Sequence, residues 1–425
     1  MVKAKGNNLF QNILIMGFGT VIAQSINVLI QPVLSRIFPA SELGIYTFII
    51  SIGNILIPIA SLKIDLLIVS EKDELKAQYI TDVCMMSNFA IAAATFIFLS
   101  VCQIIAPHFV LFQYGNVIYF VPLLVLTNGL RFLFISYNNR YKEYKLIASL
   151  EIVREASRAL VQTISGFLSF GSIGLLAGYA IAPLAGYRSQ LRKYFEGLKK
   201  RPKITLSQVR EILFVKGRRQ VLYIMPAQLI NSFSASLITM LISVLFSATT
   251  LGYYSMGVRI LDVPIMFISA NVSKVCYQRI CESISNHVPV TRTIGKLVFG
   301  LGFASLSVFG LLYLCSVPLC EFVFGKGYGI AGKYIQCLCM MYALRLVAAS
   351  FAGSFTAFGK QRFELILNVA LVAAAFVAFG ITRYIGLDME SFLLIIGFGY
   401  SIVYLATLTG TLVCCIKFDR GLANA

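Results

Sequence analysis

Charge is scarce in this chain. Asp, Glu, Lys and Arg make up 13% of its 425 residues, where an ordinary soluble domain carries about 25%. That shortage argues against a water-soluble globular fold. Histidine is nearly missing: His108 and His287 are the two in the sequence. None of the ten cysteines stands at zinc spacing from a histidine. His108 falls near an outside membrane boundary and His287 in an inside loop, so neither reads as a ligand or a base. The cysteines lie singly or as near neighbours inside apolar segments (Cys84, Cys102, Cys337, Cys339, Cys414, Cys415) and read as small buried thiols. There is no Gly-rich phosphate loop, no Asp-x-Asp and no Ser/His/Asp grouping. The expectation is therefore a protein that is not an enzyme and uses no cofactor and no metal. An ATP-driven pump would need a partner to supply the ATPase.

What is abundant is hydrocarbon. Hydrophobic residues are 58% of the chain and the mean hydropathy is +0.82, which indicates an all-α polytopic membrane protein. A span needs about 20 apolar residues. Twelve candidates meet that length, at roughly 9–34, 44–70, 80–106, 116–138, 146–169, 172–190, 220–246, 251–275, 294–318, 333–357, 363–384 and 392–416. Lys3, Lys5 and the apolar run after them imitate a signal peptide, and Ala23-Gln24-Ser25 imitates a cleavage site. The run continues to Leu34 and more spans follow, so an uncleaved first helix is expected.

The most basic stretch, Arg188–Arg219, holds eleven Lys/Arg against Glu196 and Glu211. It cannot enter hydrocarbon, and a dense Lys/Arg loop between spans marks the cytoplasmic face. The other use of such a stretch, a nucleic-acid patch, lacks a folded domain to carry it, so no nucleic-acid partner is expected. With the N-terminus inside and the spans alternating, the inside segments hold 26 Lys/Arg, the outside loops four and the spans six. That asymmetry supports twelve spans with both termini cytoplasmic.

The two halves repeat. Ala23-Gln24-Ser25-Ile26-Asn27 returns as Ala227-Gln228-Leu229-Ile230-Asn231, and Leu43-Gly44-Ile45-Tyr46 returns as Leu251-Gly252-Tyr253-Tyr254. Pro58 and Pro264 fall at nearly matched depths, and Leu130-Arg131-Phe132 returns as Leu344-Arg345-Leu346. The expected organisation is a six-helix bundle over 1–190, a basic cytoplasmic linker over 191–219 and a second six-helix bundle over 220–425. Six spans per half give both halves the same orientation, so the bundles are expected to be parallel repeats.

Two signals mark a candidate site. Thr20, Gln24, Asn27, Gln31 and Ser35 share one face of the first span. Such a stripe either ties packed helices by hydrogen bonds or lines a water-filled cavity. Its length favours the cavity. The seventh span echoes it with Gln228, Asn231 or Ser232, Thr239 and Ser243. Pro32, Pro58, Pro226 and Pro264 lie in the same helices and predict kinks. The second signal is charge within the spans: Lys63, Asp65, Arg131, Glu151, Arg154, Glu155, Arg158, Arg259, Asp262 and Arg345. Glu151–Arg154, Glu155–Arg158 and Arg259–Asp262 stand three apart and can pair along one helix, or the residues near the interface can snorkel. Arg131 and Arg345 have no acid on their own helix turns, which makes them the better candidates for an anionic substrate, because guanidinium matches phosphate oxygens in pairs. Arg345, Arg131, Arg259, Lys63, Arg154 and Arg158 are thus candidate substrate-path cations, and Asp65, Asp262, Glu151 and Glu155 candidate ion-coupling acids. The six cations exceed the four acids, a balance that suits pyrophosphate and disfavours cationic drugs.

At Ser35-Arg36-Ile37-Phe38-Pro39-Ala40-Ser41-Glu42-Leu43-Gly44-Ile45-Tyr46, and again at Ile57-Pro58-Ile59-Ala60-Ser61-Leu62-Lys63-Ile64-Asp65, the chain resembles the O-antigen flippases (Wzx-type). The resemblance implies membership of the multidrug/oligosaccharidyl-lipid/polysaccharide exporter superfamily, with two six-helix bundles and a cationic central cavity. It implies a place in the bacterial inner membrane. The implied substrate is an oligosaccharide repeat unit on undecaprenyl pyrophosphate, moved to the periplasmic leaflet under an ion gradient. Membrane lipids and other proteins of polysaccharide assembly are the partners it implies. An ion-coupled multidrug exporter of the same superfamily is the alternative within this fold. A membrane polymerase or glycosyltransferase is the alternative outside it, but it would need positioned acid/base groups and a large outside loop, which this sequence lacks.

The topology is testable by reporter fusions. A cytoplasmic reporter is expected to be active near Lys200, and a periplasmic one near Gly115, Thr249 or Asp388. Periplasmic activity at Lys200 would reverse the orientation and the direction of transport.

Overall fold

The structure is a computed structural model and describes residues 6–107, 109–198, 202 and 204–423. Lys3, Lys5, His108, Lys199, Lys200, Arg201 and Lys203 lie outside the described residues, and so do the expectations that fall on them. Every regular element among the described residues is helical. In chain order the α-helices begin with α1 (Gly6–Leu29), α2 (Gln31–Ile37), α3 (Ala40–Leu56), α4 (Asp65–Ser70), α5 (Glu74–Ile105) and α6 (Phe120–Arg140). Next come α7 (Tyr144–Phe167), α8 (Gly171–Ile181), α9 (Tyr187–Leu198), α10 (Leu206–Glu211) and α11 (Met225–Leu245). The last six are α12 (Ala248–Ser285), α13 (Thr291–Phe324), α14 (Gly329–Ser350), α15 (Ser354–Ala357), α16 (Gln361–Ile385) and α17 (Met389–Ala423).

Ten of these helical segments are long and apolar enough to cross a bilayer. Two of the twelve expected spans are not among them. α7 has the length, but Glu151, Arg154, Glu155 and Arg158 make it too polar by composition. α8 with its following turn reaches only Gly171–Leu184. The chain then turns at Gly186, whose φ of +78° favours glycine, and continues as the polar α9. The expected span over 172–190 therefore ends early. Other helices overrun their expected ends. α12, α13 and α17 have 38, 34 and 35 residues, or about 50–57 Å at 1.5 Å per residue, against a hydrocarbon core of about 30 Å.

Proline accounts for two breaks. The first span is interrupted at Ile30, with Pro32 in the first turn of α2. Its ring excludes a normal helical carbonyl four residues back. The second span, expected over 44–70 with a kink at Pro58, is broken outright. α3 tightens into a 3-10 turn at Ile57–Ile59 around Pro58. Leu62 and Lys63 then both take left-handed conformations, with φ of 51° and 59°, before α4 resumes. Pro264, by contrast, sits inside an unbroken α12.

The chain divides into two compact units, Met1–Val244 and Leu245–Ala425. In the first, α7 packs on α1 and α8, and α6 packs on α3, α4 and α5. α11, whose sequence echoes the first span, groups with this unit, and Gln113 and Tyr114 reach Ser243 near its end at 2.5 and 3.1 Å. In the second unit α14 is the central helix, covered by α12, α13 and α17, and α16 packs on α17. The outward faces are apolar: Phe299, Phe303, Leu314 and Phe322 of α13 are all exposed, as a lipid-facing helix requires.

Between apolar helices in lipid, close approach supplies the attraction, and small residues permit it. A Cβ at Gly19 of α1 would lie 2.6 Å from the Cβ of Ala148 on α7. At Gly332 of α14 it would lie 2.5 Å from the Cα of Val317 on α13. The second clash is with backbone, which no rotamer change relieves. Gly332→Ala is therefore expected to lower stability by about 1–3 kcal/mol, the range for overpacking, read as a lower melting temperature of the detergent-solubilised protein. Unchanged melting would mean that α13 and α14 are not in this contact.

Candidate functional site

The site begins with the unusual patterning of α7. Glu151, Glu155, Arg158, Gln162 and Ser165 recur at helical spacing, and the last four are buried. Val153, Leu160, Ile164 and Phe167 recur on the other side and are exposed. The helix is amphipathic in the reverse sense of a soluble one, with its polar face inward and its apolar face outward.

On that inner face the charges form one continuous rack. Arg131 of α6 reaches Glu151 at 2.5 Å. The other oxygen of Glu151 meets Arg154 at 2.7 Å. Arg154 also contacts Glu155 at 2.6 Å, and the second oxygen of Glu155 meets Arg158 at 2.5 Å. Arg158 donates to Oδ1 of Asn27 on α1 at 2.6 Å and lies over the Tyr179 ring of α8, 5.9 Å from its centroid. Arg131 lies over Phe132 at 4.2 Å. Three guanidiniums and two carboxylates leave one positive charge in excess. The expected i,i+3 pairs Glu151–Arg154 and Glu155–Arg158 are present. Arg131, which has no acid on its own helix, finds one on the next.

The polar stripe of the first span joins this rack. Gln31 donates to the backbone carbonyl and to Oδ1 of Asn27 at 2.7 and 3.1 Å, and Asn27 donates to Gln24 at 3.4 Å. Thr20 and Ser35 bond to backbone carbonyls of their own helices, Met16 and Pro32. Gln31 and Ser35 are buried, Gln24 and Asn27 half-buried, and Thr20 exposed. Along α11 the echo is looser. Gln228 donates to Ser232 at 3.2 Å, while Asn231 is exposed.

Lys63 lies in the break of the second span, Asp65 opens α4 just after it, and the two interact electrostatically. Asp65 also accepts from Ser136 of α6 at 3.2 Å. In the second unit Arg345 of α14 meets Asp262 of α12 at 3.3 Å and lies over the Tyr342 ring at 5.0 Å. So Arg345, like Arg131, has its acid on a neighbouring helix. Asp262, expected to pair along α12 with Arg259, receives Arg345 instead, and Arg259 stands within electrostatic reach of Tyr328. Arg345 borders a cavity of about 170 Å³ that Glu364, Asn368, Tyr404 and Thr407 also line.

Sequence reasoning did not single out Glu364 or Asn368, because they stand in the first turns of a span beside Lys360 and Arg362 and look like an interfacial cluster. It also passed over Gln162, which is buried and donates to Tyr46 at 3.1 Å and to the Leu175 carbonyl at 2.9 Å. The period of Glu151, Glu155, Arg158, Gln162 and Ser165 was the signal that would have found it. Among the described residues no three His, Cys, Asp or Glu side chains come together as a metal site.

This fold is that of the flippases and exporters of the MOP superfamily. Lipid II flippase MurJ, in an inward closed conformation, matches with a TM-score of 0.72 at 13% identity, over 96% of this chain and 91% of that one. A MOP superfamily transporter from Pyrococcus furiosus matches at 0.61 and 13% identity, over 96% of each chain. A mutant of the Vibrio cholerae MATE transporter VcmN matches at 0.57 and 13%, over 98% of this chain and 97% of that one. These neighbours are flippases and transporters rather than enzymes, and at such identities they share the fold. The sequence goes further than the fold: the model of a family described as polysaccharide biosynthesis protein matches residues 33–331, and the chain belongs to that family. Among curated proteins none matches the chain.

The rack separates buried from exposed ion pairs by their energetics. Glu155 has 3% of its side chain exposed, so Glu155→Ala leaves two buried guanidiniums without their shared carboxylate. The expected loss is about 3–5 kcal/mol, seen as low abundance or early melting. Glu196, 61% exposed and paired to an Arg192 that is 78% exposed, is the control: Glu196→Ala is expected to leave melting unchanged. Equal behaviour of the two variants would mean that the rack is solvated.

Proposed function

We propose that this protein is a flippase for lipid-linked oligosaccharide. It moves repeat units of O-antigen or a related surface polysaccharide, carried on undecaprenyl pyrophosphate, from the cytoplasmic to the periplasmic leaflet of the bacterial inner membrane. The observation that carries this reading is the rack: Arg131, Arg154 and Arg158 held within spans by Glu151 and Glu155, with one positive charge in excess. A buried cation excess is costly in lipid and persists where an anion or water visits it. Pyrophosphate supplies such an anion, and the amides of Gln24, Asn27 and Gln31 beside it suit sugar hydroxyls. Membership of the polysaccharide biosynthesis family supports the substrate class, and the likeness to a lipid II flippase supports a lipid carrier. Twelve spans, parallel six-helix halves joined by the basic linker, cytoplasmic termini and assembly partners belong to the same proposal.

The coupling ion is assigned to the acids that hold the fewest guanidiniums. Glu151 and Glu155 each bridge two guanidiniums. Asp262 has one at 3.3 Å and is 46% exposed. Asp262, with Asp65, is therefore the better carrier of the four candidates.

Arg345 provides the test, because its ion pair is the looser one. Arg345→Ala is expected to insert but to lower surface polysaccharide per inserted protein at least about tenfold, the effect of roughly 1.4 kcal/mol. Arg345→Lys keeps the charge without the fork and should retain part of it. The assay is complementation of a gene deletion, with lipid-linked repeat units measured in each leaflet. Normal transport by Arg345→Ala would remove it from the substrate path. If Arg345→Ala fails to insert and the double variant with Asp262→Ala restores insertion, the pair is structural.

A further inference from the structure

The rack holds its guanidiniums with two glutamates that are not equivalent. Glu151 and Glu155 both divide their oxygens between two arginines. Glu155 is 3% exposed and sits between Arg154 and an Arg158 that is also fixed by Asn27 and Tyr179. Glu151 is 21% exposed and stands at the end of the rack nearer the α6–α7 turn. One of its partners, Arg131, comes from another helix. The Nε atoms of Arg131, Arg154 and Arg158 are buried with no hydrogen-bond partner among the described residues, and the Arg158 residue is 8% exposed. Five donors on each guanidinium are thus served by too few acceptor atoms. A carboxylate offers two oxygens, whereas each phosphoryl group of a diphosphate offers more and makes the same paired contact.

We infer that Glu151 is a built-in stand-in for the substrate's anionic group: it holds Arg131 and Arg154 where a phosphoryl group would bridge them, and yields them when a prenyl diphosphate enters. The inference rests on the proposed transport of a lipid-linked pyrophosphate and assigns Glu151 the regulation of that site. While no substrate is bound, the carboxylate keeps Arg131 from standing unpaired in a low dielectric, which would be costly, and shares Arg154 with Glu155. When the diphosphate arrives, the displaced carboxylate remains close by as a like charge. That repulsion weakens binding and favours release, which a flippase needs as much as capture. Glu155, buried between the two arginines at 3% exposure, is a positioning residue that keeps Arg154 and Arg158 aimed while Glu151 moves.

The test is binding of farnesyl diphosphate to the purified full-length protein in lipid nanodiscs, with farnesol as the comparison. Glu151→Gln removes the competing charge and keeps the side-chain shape. It is expected to bind farnesyl diphosphate about tenfold more tightly than the unaltered protein, the scale of one charge-assisted hydrogen bond, with no change for farnesol. Surface polysaccharide per inserted protein is expected to fall in the same variant, because release slows. Arg131→Gln is expected to lose the diphosphate preference. Should Glu151→Gln fold poorly, Glu151→Asp, too short to span both arginines, is expected to tighten binding in the same direction. Equal or weaker binding in the Glu151 variants, with Arg131→Gln still losing it, overturns the stand-in role and leaves the proposed substrate class standing. If neither the unaltered protein nor Glu151→Gln prefers the diphosphate over farnesol, the stand-in role fails together with the pyrophosphate reading.

Discussion

A charge cannot remain unpaired in hydrocarbon, and the first unit is organised around that constraint. α7 brings two carboxylates and two guanidiniums to one face, and no arrangement that turns this face to lipid is affordable at about 2.5–3.5 kcal/mol per charge. The helix is therefore forced inward, and its neighbours are chosen by what they offer the charges. α6 offers Arg131 to the open oxygen of Glu151, α1 offers Asn27 to Arg158, and α8 offers the ring of Tyr179. Close packing then follows along the same lines, as in the approach of Gly19 to Ala148. Dispersion between apolar helices in lipid is not specific enough to choose such partners, since lipid tails offer comparable contacts. Here the ion pairs specify which helices meet, and the small residues specify how closely.

The second unit meets the same constraint with less. Its central α14 carries one arginine, and that arginine has one acid at 3.3 Å, with the two side chains 37% and 46% exposed. Tyr342 beneath the guanidinium adds a polarisable face, and Tyr404 lines the cavity beside it. A guanidinium with a single, half-exposed partner exchanges it at smaller cost than one wedged against the buried Glu155. The sequence echo between Leu130-Arg131-Phe132 and Leu344-Arg345-Leu346 is therefore an echo of position in the chain. The two arginines have different electrostatic company, and the company decides what each can do.

Helix positions were largely legible because length and apolarity report them directly, and the positions that misled did so for local reasons. The span expected over 44–70, with a kink at Pro58, breaks outright because Leu62 and Lys63 after it both turn left-handed, a conformation that neither residue type signals. The span expected over 172–190 ends early because its second part, with Arg188, is a separate helix after Gly186. At the site, pairs along one helix could be read from spacing: Glu151–Arg154 and Glu155–Arg158 form as expected. Pairs between helices could not. Arg131 and Glu151 are 20 residues apart, Arg345 and Asp262 are 83 apart, and no period in the sequence connects them. The same blindness made Arg259 look like the partner of Asp262, since the i,i+3 rule counts neighbours on one helix and is silent about a stronger claimant on another.

The stripe on the first span shows why hydrogen bonding and cavity lining are not opposed readings. Asn27 donates to Gln24 and accepts from both Gln31 and Arg158, so without a ligand the face behaves as packing. Yet amide–amide contacts of 3.1–3.4 Å are weak by the usual geometry of about 2.9–3.0 Å, and each amide retains donors and acceptors beyond those used. A hydroxyl-bearing ligand can replace such a contact almost without net loss, because one modest hydrogen bond is traded for another. A water-soluble protein binds sugars on faces already wet. Within a membrane the face must be satisfied before the sugar comes and after it leaves, and a ladder of mutually bonded amides joined to an internally paired arginine rack meets both requirements with the same atoms.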